Sequence, residues 1–293
     1  VEPEQTERET SPSAIALYDL CPRKFGHTYI DGRREPPGAG ALLGGLSHKE
    51  WEGWFKHGTH PDHTTLAGKI AEHALHHWPA PGSREIDVER HVHLTFAGLR
   101  FHGFYDLGYF DDDGSRVVGD HKTTSDFRWS KSEDELRKDP QVLLYSRDAM
   151  NTHGVDRVRV RWVYSLSKPA QRKTKVVDFT LTEAECDAGL HEHIVPVASL
   201  IRAARQPGVK ALDLPQNPLA CSAFGGCAFK DDCNLTPFQR LGATMAQAQT
   251  LAERLKLAKA APAQQAAAAT ASTVPETVQA DSPAAPINPP ARQ

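Results

Sequence analysis

Asp106, Asp120 and Lys122 are the residues from which chemistry could start in this chain. The cluster Asp111-Asp112-Asp113-Gly114 separates two strand-like runs and reads as a tight turn. With that turn near Asp113, residues whose numbers sum to about 226 oppose each other, and Asp106 then faces Asp120 at about 5 Å. Two carboxylates that close repel unless a cation lies between them, and hard oxygen ligands suit Mg²⁺ or Mn²⁺. Lys122 shares the face of Asp120 because side chains alternate along a strand. By the same arithmetic a two-residue Ala97-Gly98 turn brings Glu89 to Asp106 as a third acid, provided the register does not slip. An isolated Asp-x-Lys triplet is usually a solvated strand end, so the weight of this reading rests on the residues around it.

The elements that must position these groups follow from periodicity. Ser11-Pro12-Ser13 opens a short helix with Ile15, Leu17, Tyr18 and Leu20, stopped by Cys21-Pro22. A Gly/Pro-rich loop is expected from Gly32 to Gly45, and Ser47 is expected to begin a second helix carrying His48, Trp51, Trp54 and Phe55. A further helix is expected from about Thr65 to Trp78, followed by strands at Val88–Phe96, Leu99–Phe110 and Arg116–Thr123. A helix at Asp139–Asn151, strands at Arg157–Tyr164 and Val176–Leu181, and a helix from the capping box Thr182-x-x-Glu185 to about Arg205 complete the order. That order is α/β or α+β with a mixed central sheet.

The hairpin has company. Gly103-Phe104-Tyr105-Asp106 lies on one strand, Asp120-His121-Lys122-Thr123-Thr124 on the next, Gln141-x-x-x-Tyr145 on the following helix, and Gly45-x-x-His48 upstream. In that order and spacing the set resembles the RecB-like branch of the PD-(D/E)XK nuclease superfamily, which includes the iron-sulfur nucleases of CRISPR adaptation, AddB-type helicase-nucleases and phage recombination exonucleases. The resemblance spans about Ser11 to Leu235. It implies a restriction-endonuclease-like α/β core with helices flanking the mixed sheet. It also implies that His48, Asp106 and Asp120 are side-chain metal ligands, with the backbone carbonyl of His121 filling another position. Lys122 would orient and help deprotonate the attacking water and offset charge on the phosphate. Gln141 and Tyr145 share one helical face, which in the family lies beside the active site.

Cys221, Cys227 and Cys233 lie in a short segment without amphipathic pattern, and read alone they fit a zinc knuckle short of one ligand. In the nucleases resembled, a cysteine in the context of Cys21-Pro22-Arg23-Lys24-Phe25 joins three C-terminal ones around a [4Fe-4S] cluster, and four thiolates suit either that cluster or tetrahedral zinc. Some members space the last three by two and five residues, whereas here it is five and five. Such a clip would close a loop of about 200 residues, worth at most roughly 5 kcal/mol by loop-entropy reasoning. Cys186 reads as a buried core thiol.

Arg157, Arg159 and Arg161 alternate with Val158, Val160 and Trp162, which makes one strand face basic. Beside a nuclease site that stripe is a candidate track for DNA phosphates. His57, His60 and His63 are not read as zinc ligands, since Gly58 and Pro61 break any helix there. With 34 Lys and Arg against 37 Asp and Glu, bulk basicity gives no argument for nucleic acid, so that argument is local. Five cysteines, a polar opening segment and the lack of a long apolar run point to a cytoplasmic protein without a membrane anchor. The expected organisation is a flexible arm over 1–10, the nuclease domain over 11–240, an amphipathic helix over 241–259, and a disordered tail over 260–293. The tail holds 12 Ala and 6 Pro and no aromatic residue. The function expected is a Mg²⁺- or Mn²⁺-dependent DNA exonuclease of recombination or phage type, working without ATP because no phosphate-binding loop motif is present. A single-strand annealing protein is a plausible partner. The rivals are a CRISPR adaptation role, an RNA- or repair-specific endonuclease, and a non-catalytic DNA-binding module on the same fold.

Overall fold

The computed structural model describes residues 8–83, 85–168, 173–221 and 226–233. The expected amphipathic helix over 241–259 and the tail over 260–293 lie outside them. Helix α1 is Pro12–Leu20, with Ser11 capping Ala14 N at 3.1 Å and proline at the first position. The single turn α2 (Pro22–Phe25) follows and continues into a π-helical turn, Gly26–Ile30. Ahead of α1, Thr10 bridges Phe101, and its N–H bonds to Arg100 O at 2.9 Å.

Helix α3 runs over Ala39–His57, eight residues earlier than Ser47. The glycines between 38 and 45 suggest a loop, but each costs only about 1 kcal/mol in a helix, and Ala39, Ala41, Leu42, Leu43 and Leu46 favour one. Ser47 is therefore not a cap. It is buried in mid-helix and its hydroxyl donates back to Leu43 O at 3.1 Å. Helix α4 (Leu66–Ala74) is capped by Thr65 and ends in a 3₁₀ turn at Leu75–His77.

Strands β1 (Asp87–Phe96), β2 (Leu99–Phe110) and β3 (Arg116–Thr124) form the meander. The short helix α5 (Glu133–Leu136) and then α6 (Pro140–His153) cross to β4 (Arg157–Leu166), which pairs parallel to β3, and β5 (Thr174–Thr182) adds antiparallel to β4. The sheet order is β1-β2-β3-β4-β5. After β5 the capping box of Thr182 and Glu185 opens α7 (Glu183–Gly189). A π-helical turn at Leu190–Ile194 then leads into α8 (Val195–Ala204), next to Pro196, whose missing N–H interrupts the regular ladder. The chain is thus an α/β protein with a mixed five-stranded sheet between helical layers.

Two cores flank that sheet. Helices α1, α6, α7 and α8 bury Ile15, Leu143, Leu144, Met150, Cys186 and Ile201 against one face, where Phe101, Tyr105, Val118, Val160 and Trp162 project. Helices α3 and α4 bury Trp51, Phe55, Ala71 and Ala74 against Leu107, Tyr109, Val117 and Val163 on the other. Among the described residues no helix is long and apolar enough to cross a membrane.

Candidate active site

Both hairpins pair in the register that turn arithmetic gives. Leu107 opposes Gly119 and Phe110 opposes Arg116, and Phe96 opposes Leu99. The β2–β3 ladder stops at Leu107–Gly119, one step short of Asp106 and Asp120. Instead of a ladder bond, Asp106 Oδ2 accepts the backbone N–H of His121 at 2.9 Å. The first half of β2 therefore parts from the second half of β3, and the site sits where they separate. Tyr145 from α6 underlies this gap, so close to Gly103 that a Cβ there would lie 2.7 Å from the Tyr145 ring.

His48 reaches the gap from α3. Its Nε2 lies 3.0 Å from Asp106 Oδ2 and 3.3 Å from the carbonyl oxygen of His121, while its Nδ1 lies 3.5 Å from Glu89 Oε1. Glu89 has φ of 52°, a left-handed conformation that interrupts the β1–β2 ladder opposite Asp106. Such strain costs about 1–3 kcal/mol and gathers at functional sites. Ligand atoms of His48, Glu89 and Asp106 all lie within 4.8 Å of one another.

Asp120 is 1% exposed and turns to Lys122, whose Nζ lies 2.7 and 2.9 Å from its two carboxylate oxygens. The electrostatics follow from this burial. Desolvation, reinforced by Asp106, pushes the Asp120 carboxyl up to about 7 despite Lys122. Burial alone would lower the His48 pKa, but bonds to Asp106 and Glu89 raise it to about 11. Burial also acts against charge on Lys122, and the Asp120 and Asp106 charges overcome it, so its ammonium holds its proton more tightly than a free lysine. His48 and Lys122 are thus the two cations that balance three carboxylates.

The donor set fits a divalent ion. Glu89 and Asp106 offer hard oxygens, His48 a nitrogen acceptable to Mn²⁺, and His121 a backbone carbonyl 3.3 Å from His48. The side chain of His121 points away from them. It packs tilted against Trp51 with ring centroids 3.4 Å apart, its Nε2 meets Ser165 Oγ at 2.8 Å, and burial keeps its pKa well below the ordinary value. Gln141 hydrogen-bonds Tyr145, and burial raises the phenol pKa to about 12.

The other candidate residues fall elsewhere. Arg159 pairs with Asp178 at 2.6 Å and Asp111 at 3.1 Å; Arg161 pairs with Asp178 at 2.7 Å and reaches Tyr109 Oη at 2.6 Å. Arg157 pairs with its neighbour Asp156. None of the described contacts ties these arginines to His48, Asp106 or Asp120. Cys21, Cys221, Cys227 and Cys233 line one pocket together with Lys24 and His27. Cys186 is buried and its Sγ faces Leu143 O, as a core thiol would.

No curated protein matches the chain. Among solved structures, a candidate exonuclease from Eubacterium rectale is 13% identical, with 79% of this chain and 90% of that one covered at a TM-score of 0.47. Another, SSO0001, is 14% identical, with 78% and 88% covered at a TM-score of 0.41. The family model that matches spans residues 65–234, more than half of the chain, and takes in Glu89, Asp106, Asp120, Lys122, Gln141 and Tyr145. On that match, the chain belongs to the PD-(D/E)XK nuclease superfamily.

Proposed function

We propose that this chain is a Mg²⁺- or Mn²⁺-dependent deoxyribonuclease of the RecB-like branch that degrades DNA from its ends. The observation that carries the reading is the convergence of His48, Glu89, Asp106 and the Asp120–Lys122 pair where β2 and β3 part. His48, Glu89, Asp106, Asp120 and the His121 carbonyl would hold the metal. When bound, a divalent ion supplies Lewis acidity toward a phosphoryl oxygen and a more acidic coordinated water.

The protein's own groups divide the remaining work. Lys122 stays protonated at neutral pH because two carboxylates face it, so it acts as a fixed cation against charge developing on the phosphate rather than as a base. Asp120 holds the Lys122 ammonium in place through both carboxylate oxygens. His48 must surrender its proton for Nε2 to serve as a ligand, so cation binding and proton release are linked. Tyr145, braced by Gln141 and packed on Gly103, is a positioning residue that keeps the gap open.

The four thiols lining one cavity support a [4Fe-4S] or zinc clip joining residue 21 to residues 221–233. The test is anaerobic purification followed by incubation with end-labelled linear and closed circular DNA, with Mg²⁺, Mn²⁺ or chelator, and a visible spectrum of the same sample. Metal-dependent shortening of linear DNA by a brown protein is the expected result. A protein that binds DNA and cuts it under neither metal is an assembly module instead, and cutting of closed circles makes it an endonuclease.

A further inference from the structure

Beyond the metal ligands, the outward face of β1 and β2 carries groups that the proposed chemistry does not use. Phe104 is 51% exposed, whereas Phe101 and Tyr105 beside it are buried. A single exposed apolar side chain needs no explanation. Here, however, Phe104 opposes His91 in the ladder, and the two rings lie parallel, with centroids 4.4 Å apart and planes 6° apart. Together they form a two-ring stack, a shelf whose outer ring face is open to solvent.

The shelf is continuous with the candidate active site. Glu89 and Asp106 are each two residues from it, one strand repeat or about 7 Å along the same pair of strands. On its other side lie His93 and His102, which oppose each other, then Arg100. The one acid described among them is Glu9, which pairs with His93 at 3.3 Å and Arg100 at 3.2 Å. Glu9 neutralises that end of the face, so what the strands offer beside the phosphodiester site is the ring surface itself, on which an unpaired base stacks. Paired bases hide their faces inside the duplex stack, so such a shelf selects unpaired ones.

We propose that the Phe104–His91 shelf stacks an unpaired nucleobase of the substrate strand beside the scissile phosphate. This rests on the nuclease reading above. The test compares kcat and KM of wild type, Phe104→Ala and Phe104→Trp on an oligo-dT strand, an abasic strand of equal length and a blunt duplex. Because Phe104 is exposed, neither variant should alter folding. On oligo-dT, Phe104→Ala should lower kcat/KM about 5- to 150-fold, mainly through KM, and Phe104→Trp should restore it. On the abasic strand and the duplex the alanine variant should match wild type within about twofold. An unchanged kcat/KM on oligo-dT, or an equal loss on the abasic strand, overturns the shelf. A wild type that cuts duplex but spares single strands overturns the shelf and leaves the nuclease standing. A wild type that cuts nothing fails the nuclease reading, and the shelf then stands or falls by oligo-dT binding, measured by anisotropy with and without Phe104→Ala.

Discussion

Replacing Lys122 by Met removes the counter-ion of a carboxyl group that is 1% exposed and faces a second carboxylate. Asp120 already has its pKa raised from 3.8 to about 7 with Lys122 in place, so without it the group would stay protonated to higher pH. The raised folded-state pKa means the native state binds more protons than the unfolded one. Its stability therefore falls as pH rises from the unfolded value, and the fall stops once the native group ionises. In the wild type this loss levels off above about pH 7. In Lys122→Met it continues, at about 1.4 kcal/mol per pH unit. The difference between the two proteins should be near zero at pH 6 apart from packing, roughly 1.4 kcal/mol at pH 8 and roughly 2.7 kcal/mol at pH 9. Urea unfolding of both metal-free proteins at those pH values measures it, and contributions common to both, His48 among them, cancel. A gap that is the same at pH 6 and pH 9 would refute the assignment of Lys122 as the group that stabilises the Asp120 charge.

Three further outcomes follow from the same geometry. Titrating Mn²⁺ into the metal-free protein at pH 7 should release more than one proton, one from His48, raised to about 11 by Asp106 and Glu89, and roughly half of one from Asp120, raised to about 7; calorimetry in buffers of different ionisation enthalpy reads this, and buffer-independent heats would contradict it. Glu89→Gly should relieve the left-handed backbone and raise stability by about 1 kcal/mol while weakening Mn²⁺ binding, and a variant that loses both would show that φ of 52° stores no strain. Cys227→Ser should lower Tm and solubility before it touches DNA cleavage, by up to about 5 kcal/mol for the loop the clip closes; a wild-type melting curve would end the structural role of the thiols.

The hairpin is legible because turn chemistry sets register. Asp111 to Gly114 and Ala97-Gly98 leave only one pairing that keeps Leu107 and Tyr109 buried, so Asp106 and Asp120 have to approach each other. Two details lie beyond that arithmetic. The ladder opens one residue early because Asp106 accepts the N–H of His121, and Glu89 turns left-handed; both depend on side chains from other strands and from α3. The start of α3 is hidden because glycines weigh against a helix locally, while the packing of Trp51 and Phe55 on the sheet is a tertiary matter. The basic stripe is legible as a pattern but its neutralisation is not, since Asp178 and Asp111 reach Arg159 and Arg161 from a neighbouring strand and a hairpin turn. The Phe104–His91 shelf carries no sequence signal beyond an apolar residue on an outward-facing strand position.

The most direct measurement of the central claim is single-turnover cleavage of end-labelled linear DNA with Mn²⁺ by wild type and Asp120→Asn, with DNA binding measured on the same samples. The isosteric change keeps the shape of the buried side chain and removes its charge. The account expects rapid shortening by the wild type and no detectable cutting by Asp120→Asn at comparable DNA affinity. Full activity in the variant would contradict the placement of the chemistry between β2 and β3.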